Sequence, residues 1–148
     1  MKSNSQGGFL ISQIKQMSGR IFEKILLEKG IDAFNGAQGR ILYILWQDEA
    51  IPITELSQKT GLAKTTLTSM LDRLEVSGLV NRVFDKTDRR KILITLTEKA
   101  KKLQNEYDEV SNKMNEIYYQ GFSEDEILQF EGYLSRILDN LKGDNYNE

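Results

Sequence analysis

Apolar residues recur at intervals of three and four along most of this chain, and at intervals of two in one short stretch. Leu10, Ile14, Met17, Ile21 and Ile25 fall on one face of a helix predicted over residues 9–29, with Gly30 as its stop. A second helix is predicted after Asn35, where Asn35 and Gln38 have capping-box spacing and Ile41, Leu42, Leu45 and Trp46 give a broad apolar face. The stretch from Asp48 to Pro52 breaks it. A short helix follows over Thr54 to Thr60, with Thr54 as its expected cap and Gly61 as its end. Another runs from about Lys64 to Ser77, closed by Gly78. In that helix Leu67, Met70, Leu71 and Leu74 make the buried stripe, and Lys64, Thr65, Thr68, Ser69, Asp72 and Arg73 lie opposite.

The period then changes. Val80 to Phe84 and Lys91 to Leu96 are β-branched runs of strand length, joined by the charged tip Asp85-Lys86-Thr87-Asp88-Arg89-Arg90. Thr97 is expected to cap one long helix reaching about Gly121. Its residues Ala100, Leu103, Tyr107, Val110, Met114 and Ile117 are spaced as a heptad seam, which calls for a partner helix. Ser123 and Glu126 form a capping box for a last helix bearing Ile127, Phe130, Leu134, Ile137, Leu138 and Leu141. The expected fold is mainly α with a small β-hairpin wing, a winged helix-turn-helix flanked by long dimerisation helices. Residues 35–96 form the winged segment, and residues 1–34 with 97–148 form the helical dimerisation region.

Two short helices, a tight turn and a hairpin impose a specific demand. The second helix must bury one stripe and offer small polar and basic side chains to a DNA major groove. Lys64, Thr65, Thr68, Ser69 and Arg73 meet it. Charge sharpens the picture. The chain has 20 Lys and Arg against 22 Asp and Glu, yet residues 53–95 carry a net +3 and the remainder −5. Lys86, Arg89, Arg90 and Lys91 concentrate at the hairpin tip, within reach of phosphates or a narrow minor groove. A charged, solvated turn is the plainer reading of that tip taken alone. Asp88 and Arg90 have the spacing to pair across the turn, which makes Asp88 a brace and Arg89 or Arg90 the DNA probe.

The chain has 148 residues and contains no His and no Cys. Disulfides, thiolate or imidazole metal sites, and Ser-His-Asp or Cys-His catalysis are excluded, and no metal or other cofactor is expected. The carboxylates Glu124, Asp125 and Glu126 open a helix, where they complement its dipole, so no enzyme activity is expected. No apolar run approaches the ~20 residues of a membrane span, and Phe9-Leu10-Ile11 is too short for a signal core, so a cytoplasmic location and no membrane partner are expected.

Leu74-Glu75, then Gly78-Leu79-Val80-Asn81-Arg82, then Asp85 to Lys91, then Leu96-Thr97-Glu98-Lys99 resemble the MarR (multiple-antibiotic-resistance regulator) family over nearly the whole chain. The Asp88-to-Arg90 wing motif followed by Leu-Thr-Glu is the more specific part; the helix-turn-helix alone would not be. The resemblance implies a homodimeric transcription regulator, a repressor on a pseudopalindromic operator in double-stranded DNA. By that likeness Lys64, Thr65, Thr66, Thr68, Ser69 and Arg73 lie on the recognition helix, and Arg89 and Arg90 on the wing, where the charge of the tip adds Lys86 as a DNA-contact candidate. It also places the dimer on the first helix and the last two, where Ile14, Leu134 and Leu138 join the seam. A small aromatic or amphipathic effector between dimer region and winged module is implied as well. Met17, Arg40 and Tyr43 are the candidates for that site, with Arg40 beside Tyr43 suited to an aromatic carboxylate, although dimer packing explains Tyr43 and Trp46 without a ligand. Ala100 stands where many relatives carry glycine. The missing Cys and His remove the peroxide-sensing and zinc-sensing branches. The competing reading is a winged-helix module that binds protein and not DNA.

Overall fold

The computed structural model describes residues 4–144. The elements are α1 (Gly7–Glu28), α2 (Gly36–Gln47), β1 (Ala50–Pro52), α3 (Ile53–Thr60), α4 (Lys64–Val76), β2 (Val80–Phe84), β3 (Ile92–Leu96), α5 (Glu98–Lys101), α6 (Gln104–Tyr118) and α7 (Glu124–Lys142). The chain divides into two compact units between Asn112 and Lys113.

In the first unit, local signals set most helix ends. Asn35 and Gln38 make the expected reciprocal capping box at α2. Gly61 and Gly78 take positive φ of 75° and 77°, the left-handed conformation that lets α3 and α4 stop abruptly. Ile41, Leu42 and Leu45 of α2, Leu56 of α3, and Leu67, Leu71 and Leu74 of α4 are buried together with Ile94 of β3. Each such side chain contributes roughly 1.5–3 kcal/mol by leaving water. The sheet has the order β1-β3-β2, antiparallel throughout, with Val80 opposite Leu96 and Phe84 opposite Ile92.

Three expectations change. Residues 50–52 are not only a break: they form β1, which pairs Ile51 with Ile94 at the sheet edge. Thr54 is not a cap, because α3 already starts at Ile53 and Pro52 occupies the capping position. Proline suits that place, since an N–H there would lack an intrahelical partner. The long helix after Thr97 is interrupted. The Ala100 carbonyl accepts from Leu103 N–H (3.1 Å) and from the Trp46 indole Nε1–H (3.0 Å), which tightens the chain between α5 and α6. The heptad seam is partly covered within the first unit. Ala100 and Val110 are fully buried, Met114 is 4% exposed, and Leu103 and Tyr107 are partly buried. Ile117 stays 43% exposed.

Tyr107 explains part of that coverage. Its ring meets Phe22, Phe34, Tyr43 and Trp46 at centroid distances of 6.0, 6.1, 5.7 and 5.3 Å. A Cβ on Gly39 would lie 2.9 Å from Tyr107 Cε2, so glycine is what lets α2 approach that ring. Burial raises the Tyr107 phenol above its ordinary value, opposed by the Arg40 cation.

The second unit contains the C-terminal part of α6 and α7. Ser123 and Glu126 cap α7 reciprocally, as expected. Tyr119 donates to Glu131 at 2.6 Å and stacks edge-on with Phe122 and Phe130. That carboxylate bond, more than burial, pushes the Tyr119 phenol up to about 12. No residue of α7 is buried.

Candidate nucleic-acid interface

The turn between α3 and α4 is stitched by its own polar side chains. Ser57 Oγ donates to the Leu62 carbonyl (2.6 Å), and Thr60 Oγ1 donates to Leu56 O (2.7 Å) while accepting from Leu62 N–H (3.3 Å). With Gly61 in the left-handed region, these bonds set the angle at which α4 leaves the turn. The stripe of Leu67, Leu71 and Leu74 then anchors α4 and aims the opposite face at solvent. Lys64, Thr65, Thr66, Thr68, Ser69 and Arg73 are all exposed there. Thr68 Oγ1 turns back to the Lys64 carbonyl at 2.7 Å. Lys64 and Arg73 make no ion pair among the described residues, whereas Lys59 of α3 is engaged by Asp48 (2.6 Å) and Glu55 (3.6 Å). The bond to Asp48 holds the Lys59 ammonium above its ordinary pKa.

The wing tip is a folded turn, not a loose loop. Asp85 accepts from the backbone N–H and the hydroxyl of Thr87, both at 2.9 Å, and these bonds hold its carboxyl below the ordinary range. Asp88 Oδ1 accepts from Arg90 N–H (3.0 Å) and from Arg90 Nε (3.2 Å). Arg90 nevertheless remains 92% exposed, so the pair orients it without hiding it. Lys86 and Arg89 project from the same turn and are paired with nothing among the described residues. The tip therefore presents three cations on a braced scaffold.

Beneath the tip lies an arrangement that pattern reading did not assign. Arg82 of β2 reaches α4, with Nη2 at 2.8 Å from Asp72 Oδ1, Nη1 at 3.1 Å from Glu75 Oε1, and Nη2 at 3.4 Å from the Thr68 carbonyl. The available signal was an arginine at the strand position between Val80 and Phe84, facing the helix side of the sheet. The end of α4 is secured as well: Thr97 Oγ1 donates to Gly78 O (2.7 Å) and Lys99 Nζ to Ser77 O (3.2 Å).

Residues 34–92 match the model of the MarR family. The chain is 32% identical over 108 residues to the uncharacterized HTH-type transcriptional regulator YfiV of Bacillus subtilis, a match covering 71% of this chain and 68% of YfiV. The chain belongs to the MarR family. It is also 31% identical over 105 residues to the HTH-type transcriptional regulator TtmR of Methylorubrum extorquens, covering 71% of this chain but spanning only about half (52%) of TtmR. Among solved structures, a MarR point mutant from Escherichia coli complexed with operator DNA superposes with a TM-score of 0.77 at 26% identity. That superposition covers 88% of this chain and 92% of the other.

The MarR match contains all of α4, the wing tip and Arg82, and leaves out α1, α6 and α7. The remaining expected site residues are distributed as follows. Arg40 and Tyr43, one helical turn apart on α2, are exposed beside the Tyr107 ring, while Met17 lies on α1, 47% exposed. None of the three lines the open cavity of about 410 Å³ bounded by Glu23, Leu26, Ile31, Phe34 and Gln38. Ile14 is 50% exposed, Leu138 53% exposed, and Leu134 partly buried. Among the described residues no group of three or more acidic side chains gathers to hold a metal, and no helix is long and apolar enough to cross a membrane.

Proposed function

We propose that this MarR-family chain is a sequence-specific DNA-binding transcription regulator. It acts in the cytoplasm as a homodimeric repressor on a pseudopalindromic operator, without catalytic activity. The observation that carries the reading is the pairing of two exposed surfaces. Lys64, Thr65, Thr66, Thr68, Ser69 and Arg73 stand clear on α4 above a fully buried leucine stripe, and Lys86, Arg89 and Arg90 stand clear on a braced wing tip. Side chains of these types suit base edges and phosphates respectively. The likeness to a MarR protein complexed with operator DNA supports the same reading. In this proposal residues 35–96 read the DNA, and the helical segments 1–34 and 97–148 assemble the dimer. Ile14, Ile117, Leu134 and Leu138 supply its contacts.

Release by a small aromatic or amphipathic ligand belongs to the same proposal. Its support is Arg40, exposed and free of ion pairs among the described residues, beside the Tyr43–Tyr107 pair. Binding would then be reciprocal, the operator lowering effector affinity by the factor the effector lowers operator affinity, roughly 5–150-fold for a coupling of 1–3 kcal/mol. Selection of bound sequences from random duplex DNA tests the proposal. Enrichment of an inverted repeat supports it. Recovery of no enriched duplex argues for a protein-binding module instead.

A further inference from the structure

Resting on the DNA-binding reading above, we infer that Arg82 is a positioning residue that masks two carboxylates of the recognition helix, so that α4 meets DNA as a cationic surface. The charged residues of α4 are Lys64, Asp72, Arg73 and Glu75, which sum to zero. A helix offered to a polyanion is expected to carry a surplus of positive charge. Asp72 lies three residues beyond Ser69 and seven beyond Thr65, on the face that holds the base-reading candidates, and Glu75 stands in the same relation to Asp72 and Thr68. Both acids are exposed, with side chains 62% and 43% accessible. Left bare, each would repel approaching phosphates.

Arg82 answers both with one group. Its guanidinium places Nη2 against Asp72 and Nη1 against Glu75, a planar fork that spans two carboxylates one helical turn apart. A third donation to the Thr68 carbonyl ties the fork to the helix backbone. Ion pairs with acids this exposed add little to folding stability. Their effect on a second, highly charged molecule is larger, because Arg82 turns the charge of the α4 surface from zero to +1. Arg82 is itself only 25% accessible, tucked between β2 and α4, so it works through the two acids and does not reach the groove.

The experiment measures affinity for the selected operator duplex against salt, using the full chain and three variants. Arg82→Gln uncovers the two acids and should bind about tenfold or more weakly near 0.1 M salt, with the deficit shrinking as salt rises. Adding Asp72→Asn and Glu75→Gln to Arg82→Gln should restore affinity to within about threefold of the parent, although every ion pair is gone. The third variant, Asp72→Asn with Glu75→Gln and Arg82 retained, should bind at least as tightly as the parent. It also decides the matter should Arg82→Gln fail to fold. A triple variant no tighter than Arg82→Gln, a deficit unchanged by salt, or weaker binding by the Asp72→Asn/Glu75→Gln protein would each make Arg82 a structural strut and overturn the inference. A parent chain that binds no duplex at any salt would instead overturn the regulator reading beneath it.

Discussion

Helices α4 and α7 are both amphipathic, yet they meet opposite fates. Three leucines of α4 are fully buried, and its polar face is what remains. Helix α7 buries nothing, leaving Leu128, Tyr133, Ile137, Leu138 and Leu141 from 40% to 69% exposed. The same periodicity thus yields a finished element in one place and an unfinished one in the other. A helix whose apolar stripe is satisfied within the chain has its polar side free for a ligand. A helix whose stripe stays in water gains by meeting another surface. On the proposed function, the difference separates a reading surface from an assembling one.

The comparison is broken most severely by removing what finishes α4. Leu71→Ala should destabilise the protein by about 2–5 kcal/mol in denaturant unfolding, the cost of a cavity at a fully buried site. A loss below ~1 kcal/mol would mean that the stripe does not anchor the helix. On α7 the effect should fall on association. Leu138→Glu combined with Leu141→Glu should weaken the dimer on the order of a hundredfold in sedimentation, since two apolar side chains lose their burial. Helical content should stay unchanged. A dimer of parental strength would place the interface elsewhere.

Smaller changes sharpen the contrast. Arg90→Ala removes an exposed cation from the wing tip and should lower operator affinity by about tenfold while leaving the dimer intact. Unchanged affinity would remove Arg90 from the DNA surface. The smallest effect concerns pH. The Asp85 carboxyl is held below its ordinary value of 3.8 by the Thr87 N–H and hydroxyl. Its contribution to the turn is therefore complete above that value and lost as pH falls through the lowered one. Asp85→Asn should abolish this acid-side loss, which amide exchange at Thr87 between pH 5 and 2 would register.

Much of this organisation was legible because it is local. Asn35 with Gln38, Ser123 with Glu126, and the glycines at 61 and 78 announce helix ends within a few residues of themselves. The exposed side chains of α4 and the Asp88–Arg90 brace follow from spacing alone. What escaped depends on distant partners. Strand β1 is three residues long, contains proline, and exists because β3 pairs with it 43 residues away in register. The break between α5 and α6 depends on an indole 54 residues distant. The heptad seam shows the same limit. A spacing of three and four says that a partner surface exists, but not whether the same chain supplies it, as it does for Ala100 and Val110. Arg82 was read as one more positive charge of the middle segment, and only the packing of β2 against α4 gives it a task.

The central claim is that α4 and the wing tip form one cationic surface that reads DNA. Its most direct test is the salt dependence of affinity for the selected operator. Lys64, Arg73, Lys86, Arg89 and Arg90 give five exposed cations per protomer for phosphate contacts. If all five engage, log affinity should fall with log salt at a slope of roughly −4 to −5 per protomer. Removing Arg89 and Arg90 together should reduce that slope by about 2. A slope near zero, or one indifferent to the loss of both arginines, would contradict the account.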